Sequence, residues 1–182
     1  MRPPRDTPSG PERPEILRAF LKLRRGASGA SAVDIEMMRR ALEHARAAFE
    51  AGESPVGCVV YETGSGRLLG EAHNQRESAS DPTAHAEVLA IRRAAAALGD
   101  WRLNSCTLVV TLEPCAMCAG AIVSARLGRV VYGADDAKAG AARSLYRLLE
   151  DRRLNHRVTP VHGVLAGEAA DLLKRFFRER RA

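Results

Sequence analysis

The stretch that decides the fold of this chain is TLVVTLEPCAMC, residues 107–118. Its first half, TLVVTL (107–112), is a continuous apolar run, which is typical of a central strand buried on both faces of a sheet. Pro114 then predicts the start of a helix, because the fixed φ of proline suits the first helical position. A buried strand that leads directly into a helix indicates an α/β arrangement.

Strands and helices alternate on both sides of this stretch. Apolar residues at three- and four-residue spacing predict a helix from about Asp34, which Gly52 and Pro55 end. Further strands are predicted at 56–61, 67–74, 129–134 and around 158–161, and further helices at about 84–98, 114–126, 144–150 and from 168. Helices that alternate with strands after a first hairpin predict a layered α/β domain.

The two cysteines of the opening stretch, Cys115 and Cys118, can reach one metal ion. They lie three residues apart, so a helix carries both sulfurs on one face, and a helix N-terminus favours thiolates over thiols. By itself C-x-x-C is compatible with a redox pair or with a metal site. The other two cysteines, Cys58 and Cys106, lie in or beside strands and are expected to be small buried hydrophobic residues.

A third ligand lies in DPTAHAE, residues 81–87, where a second helix begins. His85 in isolation is more often a partly buried histidine, and Glu87 is compatible with ordinary helix capping. Together with Cys115 and Cys118, however, His85 completes three zinc ligands and leaves the fourth tetrahedral position to water, as in catalytic zinc sites. Glu87 points away from His85, because residues two apart on a helix face different directions. We therefore expect Glu87 to carry a proton beside the metal.

Composition sets the broad class of the protein. The chain has 182 residues and a net charge of +6, which suggests an anionic partner such as nucleic acid, or simply an arginine-rich proteome. Residues 1–31 are rich in Pro, Arg, Gly and Ser and predict a mostly disordered basic extension, or sequence upstream of the true start. Residues 32–182 are predicted to form the domain. The sequence has no apolar run long enough to span a bilayer and no secretory signal, so we expect a cytoplasmic protein.

The combination H-x-E…P-C-x-x-C resembles the cytidine-deaminase-type zinc deaminases. From about Met37 to Arg181 the chain looks more narrowly like the bacterial tRNA-specific adenosine deaminases, in the segments SPVGCVVY, DPTAHAE, TLEPCAMCAGAI, GADDAKAGA, LNHRV and FFRERR. The resemblance implies a three-layer α/β/α sandwich around a mixed sheet of about five strands. It also implies zinc-dependent hydrolysis of adenosine to inosine at the tRNA wobble position, with one zinc ion per subunit and Glu87 as the catalytic acid and base.

The resemblance further implies which residues contact the substrate. Asn74 matches a substrate asparagine, Asp136 matches an aspartate near the RNA, and Ala86 is placed to contact the base through its backbone. Without the resemblance, Asn74 reads as a turn residue and Asp136 as a solvated loop carboxylate. The basic tail is expected to meet the phosphates of the anticodon stem, or to be only a solvated helix face. Its arginines are Arg175, Arg178, Arg180 and Arg181.

The expected partners are a tRNA anticodon stem-loop and a second copy of the chain, with GADDAKAGA and the helix after PCAMC at the dimer interface.

Two rival functions are a deaminase of free guanine, cytosine or a nucleoside, since DPTAHAE also resembles guanine deaminases, and a non-catalytic zinc RNA-binding module. The basic tail favours the tRNA enzyme over the first, and Glu87 argues against the second. The chain departs from the family at its N-terminal extension and at Cys58, where a small alanine-like residue is usual.

Overall fold

A computed structural model describes residues 29–181, so most of the predicted extension lies outside the described residues. Within residues 29–181 the chain forms four strands, four α-helices and one 3-10 turn. In chain order they are α1 (Ala32–Glu50), β1 (Gly57–Glu62), β2 (Leu68–His73), α2 (Ala86–Leu98), β3 (Cys106–Leu112), α3 (Ala116–Ser124), β4 (Arg129–Ala134), the 3-10 turn Leu148–Glu150 and α4 (Ala166–Glu179). None of the helices described is long and apolar enough to cross a membrane.

The strands form one mixed sheet in the order β2-β1-β3-β4. β1 pairs antiparallel with both β2 and β3, whereas β3 and β4 are parallel, as the helical crossover through α3 allows. The carboxyl ends of β2, β3 and β4 therefore lie at the same edge of the sheet. The predicted mixed α/β sheet is confirmed.

The two faces of the sheet bury separate apolar clusters. Alternate residues of β1 point to opposite faces, so Val59 and Tyr61 join a cluster under α1 and α4, whereas Cys58 and Val60 join a cluster under α2 and α3. Both Cys58 and Cys106 are fully buried, as expected. Two helices on each face make the predicted three-layer α/β/α sandwich.

The expectation of about five strands is wrong by one, because residues 158–161 form no strand. Val161 makes a single bridge to Val131 of β4. Its N–H donates to the Val130 carbonyl at 2.9 Å, and its carbonyl accepts from the Tyr132 N–H at 2.9 Å. The neighbouring residues of this segment make no further bridge to β4, so the pairing remains isolated.

Helix starts also differ from the predictions. α2 begins at Ala86 and α3 at Ala116, because His85 and Cys115 have extended backbone and act as N-cap residues. Pro114 thus lies before the N-cap of α3 and not at its first helical position. The helix predicted over 144–150 is reduced to the turn Leu148–Glu150.

A glycine in β2 allows α2 to lie close to the sheet. A side chain at Gly70 would place its Cβ 2.4 Å from the Ala90 carbonyl oxygen, nearer than two such atoms can approach. The small residues Ala90 and Ala94 complete this contact from the helix side. Because α2 packs this closely on β2, its first turn lies at the sheet edge where β2, β3 and β4 end.

Candidate metal centre and active site

Three ligand side chains come together where the N-termini of α2 and α3 meet. His85 and Cys115 are the N-cap residues of these helices, and Cys118 lies in the first turn of α3. Neither N-cap side chain makes the usual capping hydrogen bond, so imidazole and thiol are free to turn toward each other. The ligand atoms of all three residues lie within 4.8 Å of one another.

The distances in this cluster fit a tetrahedral zinc ion. His85 Nδ1 lies 3.5 Å from Cys118 Sγ and 3.8 Å from Cys115 Sγ. Zinc bonds of about 2.3 Å to sulfur and about 2.0 Å to nitrogen separate two tetrahedral ligands by about 3.6 Å. Imidazole with two thiolates is also a donor set that suits zinc. Among residues 29–181 this is the one group of three or more such side chains close enough to hold a metal ion.

Contacts within this cluster shift the pKa of each of its three side chains. A hydrogen bond with the Cys118 thiol, and then the facing imidazole, lower the pKa of Cys115 to about 3. The hydrogen bond with Cys115 raises the pKa of His85, and the same Cys115 contact together with burial raises the pKa of Cys118. A metal ion bound by these side chains would displace their protons into solvent, since thiolates and a neutral imidazole are the forms that bind metal.

Glu87 lies beside this cluster but is not one of its members. Its side chain is in the first turn of α2, is 4 % exposed and lies close enough to Cys118 for each group to affect the pKa of the other. Burial raises the pKa of Glu87 to about 6. A carboxyl group with a pKa near neutrality can both take up and release a proton during a reaction.

Asn74 and Ala86 are also brought together at this edge. The buried side-chain oxygen of Asn74 accepts a hydrogen bond from the Ala86 N–H at 2.9 Å. Asn74 therefore supplies the helix cap that His85 does not, and leaves the imidazole free. Its side-chain NH2 group makes no hydrogen bond to another residue of the described range. The predicted base contacts of Asn74 and Ala86 stay predictions.

Asp136 follows β4 and orders the turn after it. One of its side-chain oxygens accepts from the N–H groups of Lys138 at 2.9 Å and Ala139 at 3.2 Å. Gly140, at the end of this turn, pairs with Cys115. The turn therefore borders α3, named here the metal-ligand helix because Cys115 is its N-cap and Cys118 lies in its first turn. The side chain of Asp136 is half-buried, and its predicted RNA contact stays a prediction.

Two buried carboxylates near the site were not predicted from the sequence. Glu113 is 2 % exposed and accepts hydrogen bonds from the loop after β4, and Glu53 accepts from Ser78 in the loop that follows Asn74. The signal for Glu113 is a charged residue between a buried strand and the proline before the cysteines. Glu53 follows Gly52 at a helix end and carries no comparable signal.

Some side chains of the basic tail on α4 pack against α1, and others are exposed to solvent. The Phe176 ring is buried edge-on against Phe49 at 5.5 Å, and Arg175 lies over that same Phe49 ring at 4.6 Å. Arg180 donates to the Gly52 carbonyl oxygen. Phe177 and Arg178 point outward instead, and 48 % of Phe177 is exposed.

Comparison with known proteins agrees with this geometry. Residues 33–181 match the family of MafB19-like deaminases. A tRNA-specific adenosine deaminase of Streptococcus pyogenes is 46 % identical over 144 residues, which cover 79 % of this chain and 89 % of that protein. A structure from a study of A-to-I editing by tRNA:A34 deaminases at the wobble position of transfer RNA superposes with a TM-score of 0.72. It is 41 % identical and covers 76 % of this chain and 99 % of its own.

A guanine deaminase from Nitrosomonas europaea is more distant in sequence. It superposes with a TM-score of 0.69 but is only 25 % identical over 96 % of this chain and 98 % of its own. The shared fold agrees with the resemblance of DPTAHAE to guanine deaminases, whereas the higher identity over most of the chain is to the tRNA-specific enzymes. The chain therefore belongs to the MafB19-like deaminases and, within them, to the family of tRNA-specific adenosine deaminases.

Proposed function

We propose that this chain hydrolyses adenosine to inosine at the wobble position of a tRNA anticodon. The observation that carries the proposal is the buried Glu87 beside the cluster of His85, Cys115 and Cys118, in a chain 46 % identical to a tRNA-specific adenosine deaminase. A buried carboxyl group next to a three-ligand cluster suits hydrolysis better than a purely structural metal site.

We further propose that His85, Cys115 and Cys118 hold one zinc ion per chain. Bound there, zinc would supply Lewis acidity that makes a water molecule ionise near neutral pH. Glu87 takes a proton from the attacking water and passes it to a ring nitrogen of the purine. It then takes the proton of the new C6 hydroxyl and gives it to the departing amine, so that the C6–N bond breaks, the carbonyl forms, and adenosine and water become inosine and ammonia. Asn74, with its NH2 group unused, offers a donor to the base edge.

The proposed partner is the anticodon stem-loop of a tRNA. Exposed Phe177 and Arg178 lie together on α4, where an aromatic ring can stack on an unpaired base and a guanidinium can contact phosphate. The net charge of +6 favours the same polyanionic substrate.

A homodimer is proposed from the exposed apolar side chains near the site. Met117, on the helix expected at a subunit interface, is exposed, and so are Leu145 and Tyr146, which follow the expected interface segment GADDAKAGA. Light scattering at micromolar concentration is expected to give twice the chain mass. A mass of one chain across that range would contradict the homodimer.

The function is tested by a comparison of substrates. Stem-loops that differ only by A or G at the wobble position are incubated with the zinc-loaded protein, alongside free adenosine, guanine and cytosine. Mass spectrometry of digested RNA is expected to show inosine from the A34 stem-loop, with little ammonia from any free base. Ammonia from guanine or cytosine without any RNA product would overturn the proposal.

A further inference from the structure

Glu113 is a charged side chain that the catalytic scheme does not use. It lies between β3 and the metal-ligand helix, directly before Pro114 and Cys115, and is 2 % exposed. Burial of a carboxylate at such a position requires that its oxygens be satisfied by hydrogen bonds. Among residues 29–181, no fully buried side-chain N or O atom is left without a hydrogen-bond partner, and those of Glu113 follow this rule.

All the donors to the Glu113 carboxylate come from one distant segment, residues 135–146, named here the bracket loop. Oε1 accepts from the N–H groups of Ala142 at 3.1 Å, Arg143 at 2.7 Å and Ser144 at 2.9 Å. Oε2 accepts from the Asp136 N–H at 2.9 Å and from the Ser144 hydroxyl. These five donors lie 23 to 31 residues further along the chain. The carboxylate thus holds both ends of the bracket loop at once.

Gly140 shows how closely the bracket loop encloses the carboxylate. A Cβ at this residue would lie 2.3 Å from Glu113 Oε2 and 2.5 Å from the Asp136 carbonyl oxygen. Even an alanine therefore cannot fit unless the loop or the carboxylate moves. The next residue, Ala141, donates to the Pro114 carbonyl at 2.8 Å, and Gly140 itself pairs with Cys115. The loop is fastened to the entry of the metal-ligand helix at every one of these points.

This arrangement fixes where Asp136 lies relative to the metal ligands. Its backbone N–H is held by Glu113, and its side chain in turn orders Lys138 and Ala139. An amide in place of the carboxylate would present an NH2 group to N–H or O–H donors on one side, because glutamine has one acceptor oxygen where glutamate has two. Part of the bracket loop would then be released.

We propose that Glu113 is a positioning residue for RNA binding, which holds the bracket loop as one wall of the substrate site. This inference rests on the proposed function. It assigns Glu113 to substrate binding and not to proton transfer, since both carboxylate oxygens already accept hydrogen bonds from the bracket loop.

The test is Glu113→Gln in the zinc-loaded full chain. We expect the KM for the A34 stem-loop to rise by about tenfold with kcat and zinc content little changed, the size of effect that follows loss of one or two charge-assisted hydrogen bonds. Stem-loop binding measured by anisotropy in a Glu87→Gln background should weaken equally. Amide hydrogen exchange should speed up at Asp136 and at 142–144. An unchanged KM, or a loss of kcat and zinc without a rise in KM, would overturn the proposal.

Two further variants separate positioning from general stability. Asp34→Asn alters another fully buried carboxylate, on the opposite face of the sheet, and should lower the melting temperature without changing KM. Gly140→Ala leaves the carboxylate in place but displaces the loop, and should raise KM as Glu113→Gln does, with the double variant less than additive. If Glu113→Gln fails to fold, Gly140→Ala decides, and a normal KM there overturns the positioning role.

The two proposals fail in different ways. If the unmodified protein forms no inosine in the A34 stem-loop, the proposed function fails, whatever the variants do. If it does form inosine and both Glu113→Gln and Gly140→Ala have the KM of the unmodified protein, only the role of Glu113 is wrong.

Discussion

At the scale of single residues, the site depends on which side chains are released from capping their own helices. His85 and Cys115 are N-cap residues that make no capping hydrogen bond, and Asn74 caps α2 in place of His85. Glu87, two residues into the same motif, is buried beside the ligands and not among them. One short segment can therefore provide both the proposed ligand and the proposed proton carrier, because an extended residue and a helical residue point in different directions.

Replacement of Glu87 tests this division of roles. Glu87→Gln keeps the shape of the side chain but cannot accept a proton, so we expect kcat to fall by about 10²- to 10⁴-fold. Zinc content by mass spectrometry should remain near one per chain, since Glu87 is not a member of the cluster.

The matched control is Glu36→Gln, which alters an exposed glutamate on α1 and should leave both kcat and zinc content unchanged. Near-normal deamination by Glu87→Gln would show that Glu87 is not the proton carrier, and loss of zinc would show that it is a ligand.

At the scale of elements, α4 divides its residues between the core and the solvent within one turn. Phe176 packs on Phe49 of α1, whereas its neighbour Phe177 is about half exposed. The sequence FF at these positions predicts an amphipathic helix but does not distinguish the two rings. The position of α4 against α1 makes the distinction, so Phe177, next to exposed Arg178, is the ring available to the proposed RNA partner.

The two phenylalanines are expected to differ when each is truncated. Phe176→Ala should lower the free energy of unfolding by about 3–5 kcal/mol, because it leaves a cavity under α4. Phe177→Ala should leave thermal stability unchanged and weaken stem-loop binding by about 1–3 kcal/mol, the range measured for loss of a stacked base contact.

Arg178→Ala should also weaken binding and reduce the salt dependence of the association constant by about one phosphate contact. Thermal melts and anisotropy titrations at several salt concentrations measure these effects. Equal RNA affinity of Phe177→Ala and the unmodified protein would remove this ring from the interface.

At the scale of the whole molecule, two carboxylates link α1 to the sheet. Asp34 is fully buried and accepts from Ser31, from the Tyr61 hydroxyl at 2.7 Å and from Arg129 of β4. Burial alone would raise the pKa of Asp34, but these hydrogen bonds lower it on balance. Glu71 of β2 accepts from Arg40 of α1 at 2.5 Å, and this hydrogen bond lowers the pKa of Glu71 to about 2.

The stability of the fold should therefore decline in acid. A carboxyl group with a lowered pKa in the folded chain binds fewer protons than in the unfolded chain, so its contribution is complete above the unfolded value and is lost as pH falls through the folded value. For Glu71 this window runs from 4.5 down to about 2.

Glu71→Gln isolates one part of this dependence. We expect it to cost about 1 kcal/mol near neutral pH, since the pair is half exposed, and nothing below the window. Melting temperatures measured across the window should converge for the variant and the unmodified protein. Curves that stay parallel down to the acid end would contradict the assignment.

The sequence by itself determined the chemistry and most of the elements. The three-residue spacing of Cys115 and Cys118 and the place of His85 and Glu87 near a helix start are local properties, and the resemblance to zinc deaminases predicts that the two motifs meet. The strand TLVVTL and the helices after it follow from periodicity for the same reason. Only the tertiary structure decided which polar groups satisfy one another across the chain.

Long-range partners explain what local patterns missed. Glu113 finds its donors 23 to 31 residues away, Asn74 caps a helix 12 residues later, and the last segment meets β4 at the single bridge of Val161. A buried polar group must be satisfied somewhere, but the identity of its partner depends on which elements pack together. Spacing in the sequence thus identifies the candidate ligands and Glu87, and packing decides which loops lie against them.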